Sequence, residues 1–260
     1  MAKITGTNSS DQLSVNPSED PLAVVDALLG DDVIYIRGSS YSPSSRPTIF
    51  GGDGSDTISF AYFSKAVYAA ILGTSVYPDP KPGQFVAFSS IPWQHSIENL
   101  TGSNYGDFLA GDNNANVLEG RGGSDELWGN GGKDKLIGGA GADTFVFKGV
   151  QLGSGVPVTD STVSNPDLLT DFQRGIDKID LTRFPNMLIS GTKSASYTEH
   201  FRWAGKLSSN NVTMGYAGYR TTATGVDLLA NPYGANGDVI ADLRVSLSGV
   251  TALSSSDVLL

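Results

Sequence analysis

Between Gly102 and Val146 an apolar side chain recurs every nine residues, at Leu109, Leu118, Leu127, Leu136 and Phe145, with glycines and polar residues between. Neither a helical period of about 3.6 nor two-residue alternation produces that spacing. A nine-residue unit with one inward apolar position reads as a turn followed by a three-residue strand, whose middle side chain points in while its neighbours point out. The five units read GSNYGDFLA, GDNNANVLE, GRGGSDELW, GNGGKDKLI and GGAGADTFV, starting at Gly102, Gly111, Gly120, Gly129 and Gly138. Nine residues then make half a coil and eighteen a whole one. The expected fold is all-β: a flattened, right-handed solenoid in which turns eighteen residues apart stack on one edge. Gly102, Gly120 and Gly138 share one edge, and Gly111 and Gly129 the other. Far downstream, ADLRVSLSGV alternates apolar and polar residues and predicts a half-buried strand.

Position six of each unit carries the chemistry: Asp107, Asn116, Asp125, Asp134 and Asp143. Stacking sets Asp125 above Asp143 at about one strand spacing, ~4.8 Å. Two carboxylates that close repel unless a cation sits between them. Carboxylates and turn carbonyls suit a hard cation taking six to eight oxygens, which points to several calcium ions. Zinc would want His or Cys, and the chain has two His and no Cys. The expected metal residues on the first edge are Asp107, Gly120, Gly122, Gly123, Asp125, Gly138, Ala140, Gly141 and Asp143. On the other edge they are Gly129, Gly131, Gly132 and Asp134. By the same arithmetic Asp107 pairs with Asp125 and Asn116 with Asp134. The Asn pair brings less charge, and the Gly102 turn lacks glycines at positions two and four, so both are expected to be weaker.

These units match GGxGxDxUx and resemble the calcium-binding nonapeptide of the repeats-in-toxin (RTX) family, which implies a parallel β-roll. Another copy, GGDGSDTIS, runs from Gly51 to Ser59 and adds Asp56 to the expected ligands, with fainter echoes at Asp32 and Asp11. The 51 residues from Gly51 to Gly102 are not a multiple of nine, so an insertion is expected at about 60–101; it resembles the hairpin-and-strand excursion of RTX domains. TDFQRGIDKIDL, from Thr170, and the closing NPYGANGDVIADLRVSLSGVTALSSSDVLL resemble the C-terminal module of serralysin-type RTX proteins. Ala235–Asp238 departs from the acidic turn of that module. The terminal Asp257-Val258-Leu259-Leu260 resembles the uncleaved signal read by bacterial type I secretion systems. The expected organisation is residues 1–50 as degenerate repeats, 51–146 as the RTX roll with its insertion, and 147–260 as a C-terminal β capping region ending in that signal. Localisation follows as secreted or at the cell surface of a Gram-negative-type bacterium, with the type I apparatus as partner. Cytosolic calcium is too scarce to fill weak extracellular-type sites.

Composition sharpens this picture. The 260 residues hold 22 Asp but only 5 Glu, a bias toward turns and metal loops and away from helix, and the formal net charge is −10. So acidic a chain is a poor partner for nucleic acid. No segment approaches the ~20 apolar residues of a membrane span, and the first residues lack the apolar run of a signal peptide. Disorder, which such composition often signals, conflicts with the apolar column at position eight. Neither an HExxH nor a GxSxG motif occurs. His95 beside Trp93, and His200 next to Glu199, read as structural or surface residues, since neighbours on a strand face opposite ways. The leading expectation is a non-enzymatic structural protein that self-assembles into a lattice or filament, or adheres to a cell surface. The aromatics Trp93, Trp128, Trp203, Tyr216, Tyr219 and Tyr233 keep open a small polysaccharide-acting enzyme or lectin that binds cell-surface glycan. A third reading is a folding and secretion module serving a separate chain.

Overall fold

The computed structural model describes residues 2–20, 22–38, 47–71, 85–89, 96–151, 157–184, 201–213, 216–231 and 243–260, with side chains at 85–89, 150–151 and 157–159 left aside. His95, His200, Trp93, Tyr233 and the Ala235–Asp238 turn lie outside the described residues. Every regular element among the described residues is a β-strand.

The predicted repeat forms the centre of a parallel β-roll. Its half-coils supply β10 (Phe108–Ala110), β11 (Val117–Glu119), β12 (Glu126–Trp128), β13 (Lys135–Ile137) and β14 (Thr144–Val146). Strands eighteen residues apart pair in parallel, with Leu109 opposite Leu127 and Leu118 opposite Leu136. Successive strands therefore belong to opposite walls. Leu109, Leu118, Leu127, Leu136 and Phe145 are fully buried and pack into one core cluster between those walls. Each three-residue strand is too short to bury a face alone, so the stack holds together through this shared column.

The roll extends well beyond the five units. On one wall β11 and β13 continue through β9 (Asn99–Thr101), β6 (Thr57–Ser59), β4 (Val33–Ile36) and β2 (Gln12–Val15). Opposite these N-terminal coils stands a three-stranded parallel sheet of β1 (Lys3–Thr5), β3 (Val24–Asp26) and β5 (Thr48–Phe50). In the C-terminal direction β13 pairs with β17 (Asp167–Leu169), and β14 with β18 (Lys178–Asp180) and then β23 (Val258–Leu259). Beyond β17 the wall becomes antiparallel through β22 (Leu243–Ser248), β21 (Gly225–Asn231) and β20 (Tyr216–Thr221), and ends at β19 (Arg202–Lys206).

The segment from 60 to 101 departs from expectation. In place of a hairpin, β7 (Val67–Ile71) and β8 (Phe85–Ser89) pair in parallel, Val67 opposite Phe85, and β7 pairs in parallel with β10. That eighteen-residue offset is the coil period, and parallel pairing needs a crossover of about a dozen residues. Here the chain adds coils. An antiparallel two-stranded pair does form elsewhere, between β15 (Gly149–Gln151) and β16 (Pro157–Thr159).

The aromatics proposed as a glycan platform are engaged in packing where they are described. Trp128 points outward from its strand as expected, yet is buried with Tyr68, Phe108, Ala110 and Val146 on the outer face of that wall. Its indole N–H donates to Glu126 Oε1 at 2.8 Å, and the Lys148 ammonium lies 5.1 Å from the ring centre. Trp203 and Tyr219 stack at 6.2 Å against the main core, and Tyr216 packs with Val212 and Leu229.

Candidate metal centre

Along each edge of the roll the acids preceding the strands form a ladder. In it the backbone N–H of one coil donates to the carboxylate of the next coil toward the C-terminus. One ladder runs Val67 to Asp107 Oδ1 (2.7 Å), Asp107 to Asp125 Oδ1 (2.7 Å), Asp125 to Asp143 Oδ1 (2.9 Å) and Asp143 to Asp177 Oδ1 (3.0 Å). The other has two runs. The first is Asp11 to Asp32 Oδ1 (2.6 Å), Asp32 to Asp56 Oδ1 (2.9 Å) and Asp56 to Glu98 Oε2 (2.7 Å). The second is Asn116 to Asp134 Oδ1 and Asp134 to Asp167 Oδ1, both 2.8 Å. One carboxylate oxygen thus serves as a fixed rung of backbone structure.

The second oxygen sorts the turns into two kinds. In closed turns the N–H four residues before the acid folds back onto it: Thr7 to Asp11, Ser103 to Asp107, Asp112 to Asn116 and Gln173 to Asp177. In open turns the residue at that place has positive φ, which turns its N–H away. These are Leu28 (77°), Gly52 (112°), Arg121 (76°), Asn130 (66°) and Gly139 (94°). The acids they precede are Asp32, Asp56, Asp125, Asp134 and Asp143, and each keeps a buried Oδ2 with no hydrogen-bond partner. All five open turns also place a glycine of positive φ two residues before the acid: Gly30, Gly54, Gly123, Gly132 and Gly141.

Buried, half-satisfied carboxylates are costly when ionised. Burial pushes Asp125 up to about 8, with the charges of Asp107 and Asp143 adding to the effect. Burial, then the charge of Asp167, pushes Asp134 up to about 9. Burial raises Asp56 and Asp143 to about 6 and Asp167, which also keeps an unpartnered Oδ2, to about 8.

The remaining expected residues have assignable places. Gly120, Gly129 and Gly138 open their turns directly over the acid. A Cβ on Gly120 would press into Asp125 Oδ2 and stand 2.6 Å from the Gly138 carbonyl oxygen. Gly120→Ala is therefore expected to destabilise the folded roll by about 1–3 kcal/mol, measured by thermal unfolding in calcium. Gly122 bridges in parallel to Ala140, whose carbonyl accepts the Gly123 N–H at 2.9 Å. A Cβ on Gly131 would lie 3.2 Å from Asn113 Oδ1. Asp107 differs from the open-turn acids in that both of its oxygens accept protein hydrogen bonds, from Val67 and Ser103. Asn116 is likewise engaged, accepting from Asp112 and donating to the Glu98 carbonyl.

Sequence reasoning missed Glu98, Asp167 and Asp177 as ladder members. Each is followed two residues later by a buried apolar residue, Leu100, Leu169 and Ile179, which is the signal that identifies them. Among the described residues no three His, Asp or Glu side chains converge on one point. The donor set on offer is a carboxylate oxygen from each stacked turn with backbone carbonyls, all oxygen, which fits calcium in charge and hardness.

A family model for the Peptidase M10 serralysin C terminal matches residues 41–260, most of the chain. The chain belongs to that family. The serralysin C-terminal region is the RTX β-roll, a calcium-binding module distinct from the catalytic domain of serralysins. A solved structure, the extracellular lipase LipA from Serratia marcescens, is similar at 18% identity with a TM-score of 0.30. That match covers 100% of this chain and 40% of the lipase, so the chain spans about 40% of the lipase's length. No curated protein matches. The serralysin-type roll seen here begins before the matched segment, with Asp11 and Asp32 already in register on the ladder.

Proposed function

We propose that this serralysin-type chain is a secreted, calcium-dependent structural or surface-adhesion protein, exported by a type I apparatus and folded outside the cell. The observation that carries the calcium reading is the set of five open turns, each leaving one buried carboxylate oxygen unpartnered. Calcium would be held by Asp32, Asp56, Asp125, Asp134 and Asp143 together with carbonyls of their glycine turns. It supplies the positive charge that lets stacked carboxylates stay ionised. Asp107 and Asn116 would help to shape neighbouring turns through their protein hydrogen bonds.

The structural role is supported by the architecture. Solenoid ends present strand edges, here β2 on one wall and β1 on the other, and such edges invite pairing with another chain. Light scattering with and without millimolar calcium tests this reading. A particle larger than the 27.2 kDa chain is expected only in calcium. A strict monomer at high concentration in calcium would remove the self-assembly role and leave adhesion or a folding module.

A further inference from the structure

The antiparallel part of the wall carries a charged cluster that neither the ladders nor the core uses. On β20, β21 and β22 the inward positions Ala217, Val226, Leu228, Val245 and Leu247 belong to the main core. Alternation places Arg220, Asp227, Arg244 and Ser246 on the opposite face. Arg220 lies directly across from Asp227, and Asp227 across from Ser246. Both guanidiniums converge on the same oxygen: Arg220 Nη2 is 2.8 Å and Arg244 Nη2 3.2 Å from Asp227 Oδ2. The other oxygen, Oδ1, accepts the Ser246 hydroxyl at 2.9 Å.

Asp227 is buried, whereas the two arginine side chains remain 33% and 31% exposed. Two cations therefore share one carboxylate, leaving a net charge of +1 open to solvent on a chain of formal charge −10. The Nε atoms of both arginines are buried and have no hydrogen-bond partner. Arg244 is also anchored through its backbone, its carbonyl accepting the Ser161 hydroxyl at 2.5 Å. Two partly exposed guanidiniums held side by side on one carboxylate, with a surplus positive charge, present their outer N–H groups to an oxyanion.

We propose that Arg220 and Arg244 form an oxyanion-binding site, with Asp227 as the positioning residue that aims both guanidiniums. Its ligand class is a sulfate- or carboxylate-type anion, supplied either as a free ion or as a pendant group of an acidic saccharide. The site is separate from the calcium turns and requires only that the wall be folded.

The test uses the full chain in calcium, with circular dichroism verifying that each variant is folded. Sodium sulfate and a hexuronate disaccharide are titrated against sodium chloride at equal ionic strength, following the Arg Nε–H resonances. Saturable shifts confined to Arg220 and Arg244 are expected in the wild-type protein. Arg244→Gln and Arg244→Lys are each expected to weaken binding about tenfold or more, because a charge without the planar fork loses the bidentate contact. Asp227→Asn, whose single amide oxygen cannot serve both Ser246 and the two guanidiniums, is expected to weaken binding while the circular dichroism spectrum stays that of the folded protein. Saturation by sulfate alone supports the free-ion source, and tighter saturation by the disaccharide supports the saccharide source. Equal, non-saturating responses to chloride and both probes overturn the proposal. So does wild-type-like affinity in both Arg244 variants, and the wild-type titration decides the matter should a variant not fold.

Discussion

Removing divalent cations at neutral pH is expected to abolish most of the β-signal in far-ultraviolet circular dichroism, and millimolar calcium to restore it. Asp32, Asp56, Asp125, Asp134 and Asp143 each bury an Oδ2 atom that has no hydrogen-bond partner. An ionised carboxylate in such a place costs several kcal/mol, and five of them exceed much of the 5–15 kcal/mol by which a domain is ordinarily stable. The short strands offer little local stability in compensation. Asp125→Ala removes both a proposed cation ligand and the acceptor of the Asp107 N–H, so it should lower the number of calcium ions bound and raise the calcium needed for folding about tenfold. Asp112→Ala, which loses only carboxylate hydrogen bonds from Asn114 and Asn116, should leave the ion count unchanged. A spectrum unchanged by exhaustive chelation would refute the calcium reading.

In metal-depleted buffer, lowering the pH from about 9 to about 5 is expected to recover part of the β-structure that calcium supports at neutral pH. Burial raises Asp134 to about 9, Asp125 and Asp167 to about 8, and Asp56 and Asp143 to about 6. All lie above the ordinary unfolded value near 3.9. The folded chain therefore binds more protons than the unfolded chain across that window. Stability from these groups is fully present below the unfolded pKa and is lost as pH rises through 6 and then 8 to 9, by about 1.4 kcal/mol per pH unit for each proton of difference. Calcium reverses the sign, because protons compete with it for the same oxygens, so the calcium midpoint should rise as pH falls. Circular dichroism at several pH values, with and without calcium, reads both trends. A metal-free signal that weakens on acidification over this range would contradict the assignment.

How much of this was legible depended on whether the information was periodic. The column from Leu109 to Phe145 and the acids Asp125, Asp134 and Asp143 follow from strict spacing, and the parallel roll follows from them. Asp167 and Asp177 escaped because they accept from Asp134 and Asp143 at separations of 33 and 34 residues, where longer excursions break the nine-residue count while the ladder stays in register. The parallel placement of β7 and β8 was hidden because the sequence from 67 to 89 contains no GGxGxD unit to mark a coil. The distinction between open and closed turns was half visible. Glycine two residues before the acid marks all five open turns, yet Gly175 occupies the same place in a closed one. The deciding backbone angle falls on Gly52, Gly139 and Asn130, residue types that favour it, but also on Leu28 and Arg121, side chains that do not advertise a left-handed conformation.

The acid nearest the C-terminal edge behaves unlike all the others. Although burial pushes its pKa upward, the Ser254 hydroxyl and N–H, the Gly175 N–H and the Arg174 guanidinium outweigh it, so Asp257 sits below the ordinary carboxylate value. Its strand, β23, is the outermost of its wall, and the counter-charge comes from the protein itself, with Arg174 Nε 3.5 Å away. The charge of this acid is thus met from within the chain. Among the described residues Asp11 Oδ2 is held instead by the Thr7 N–H and hydroxyl. The pairing of β23 with β18 therefore draws its counter-charge from the Arg174 guanidinium and the Ser254 and Gly175 donors, whereas the open turns farther along the same wall look to calcium for theirs.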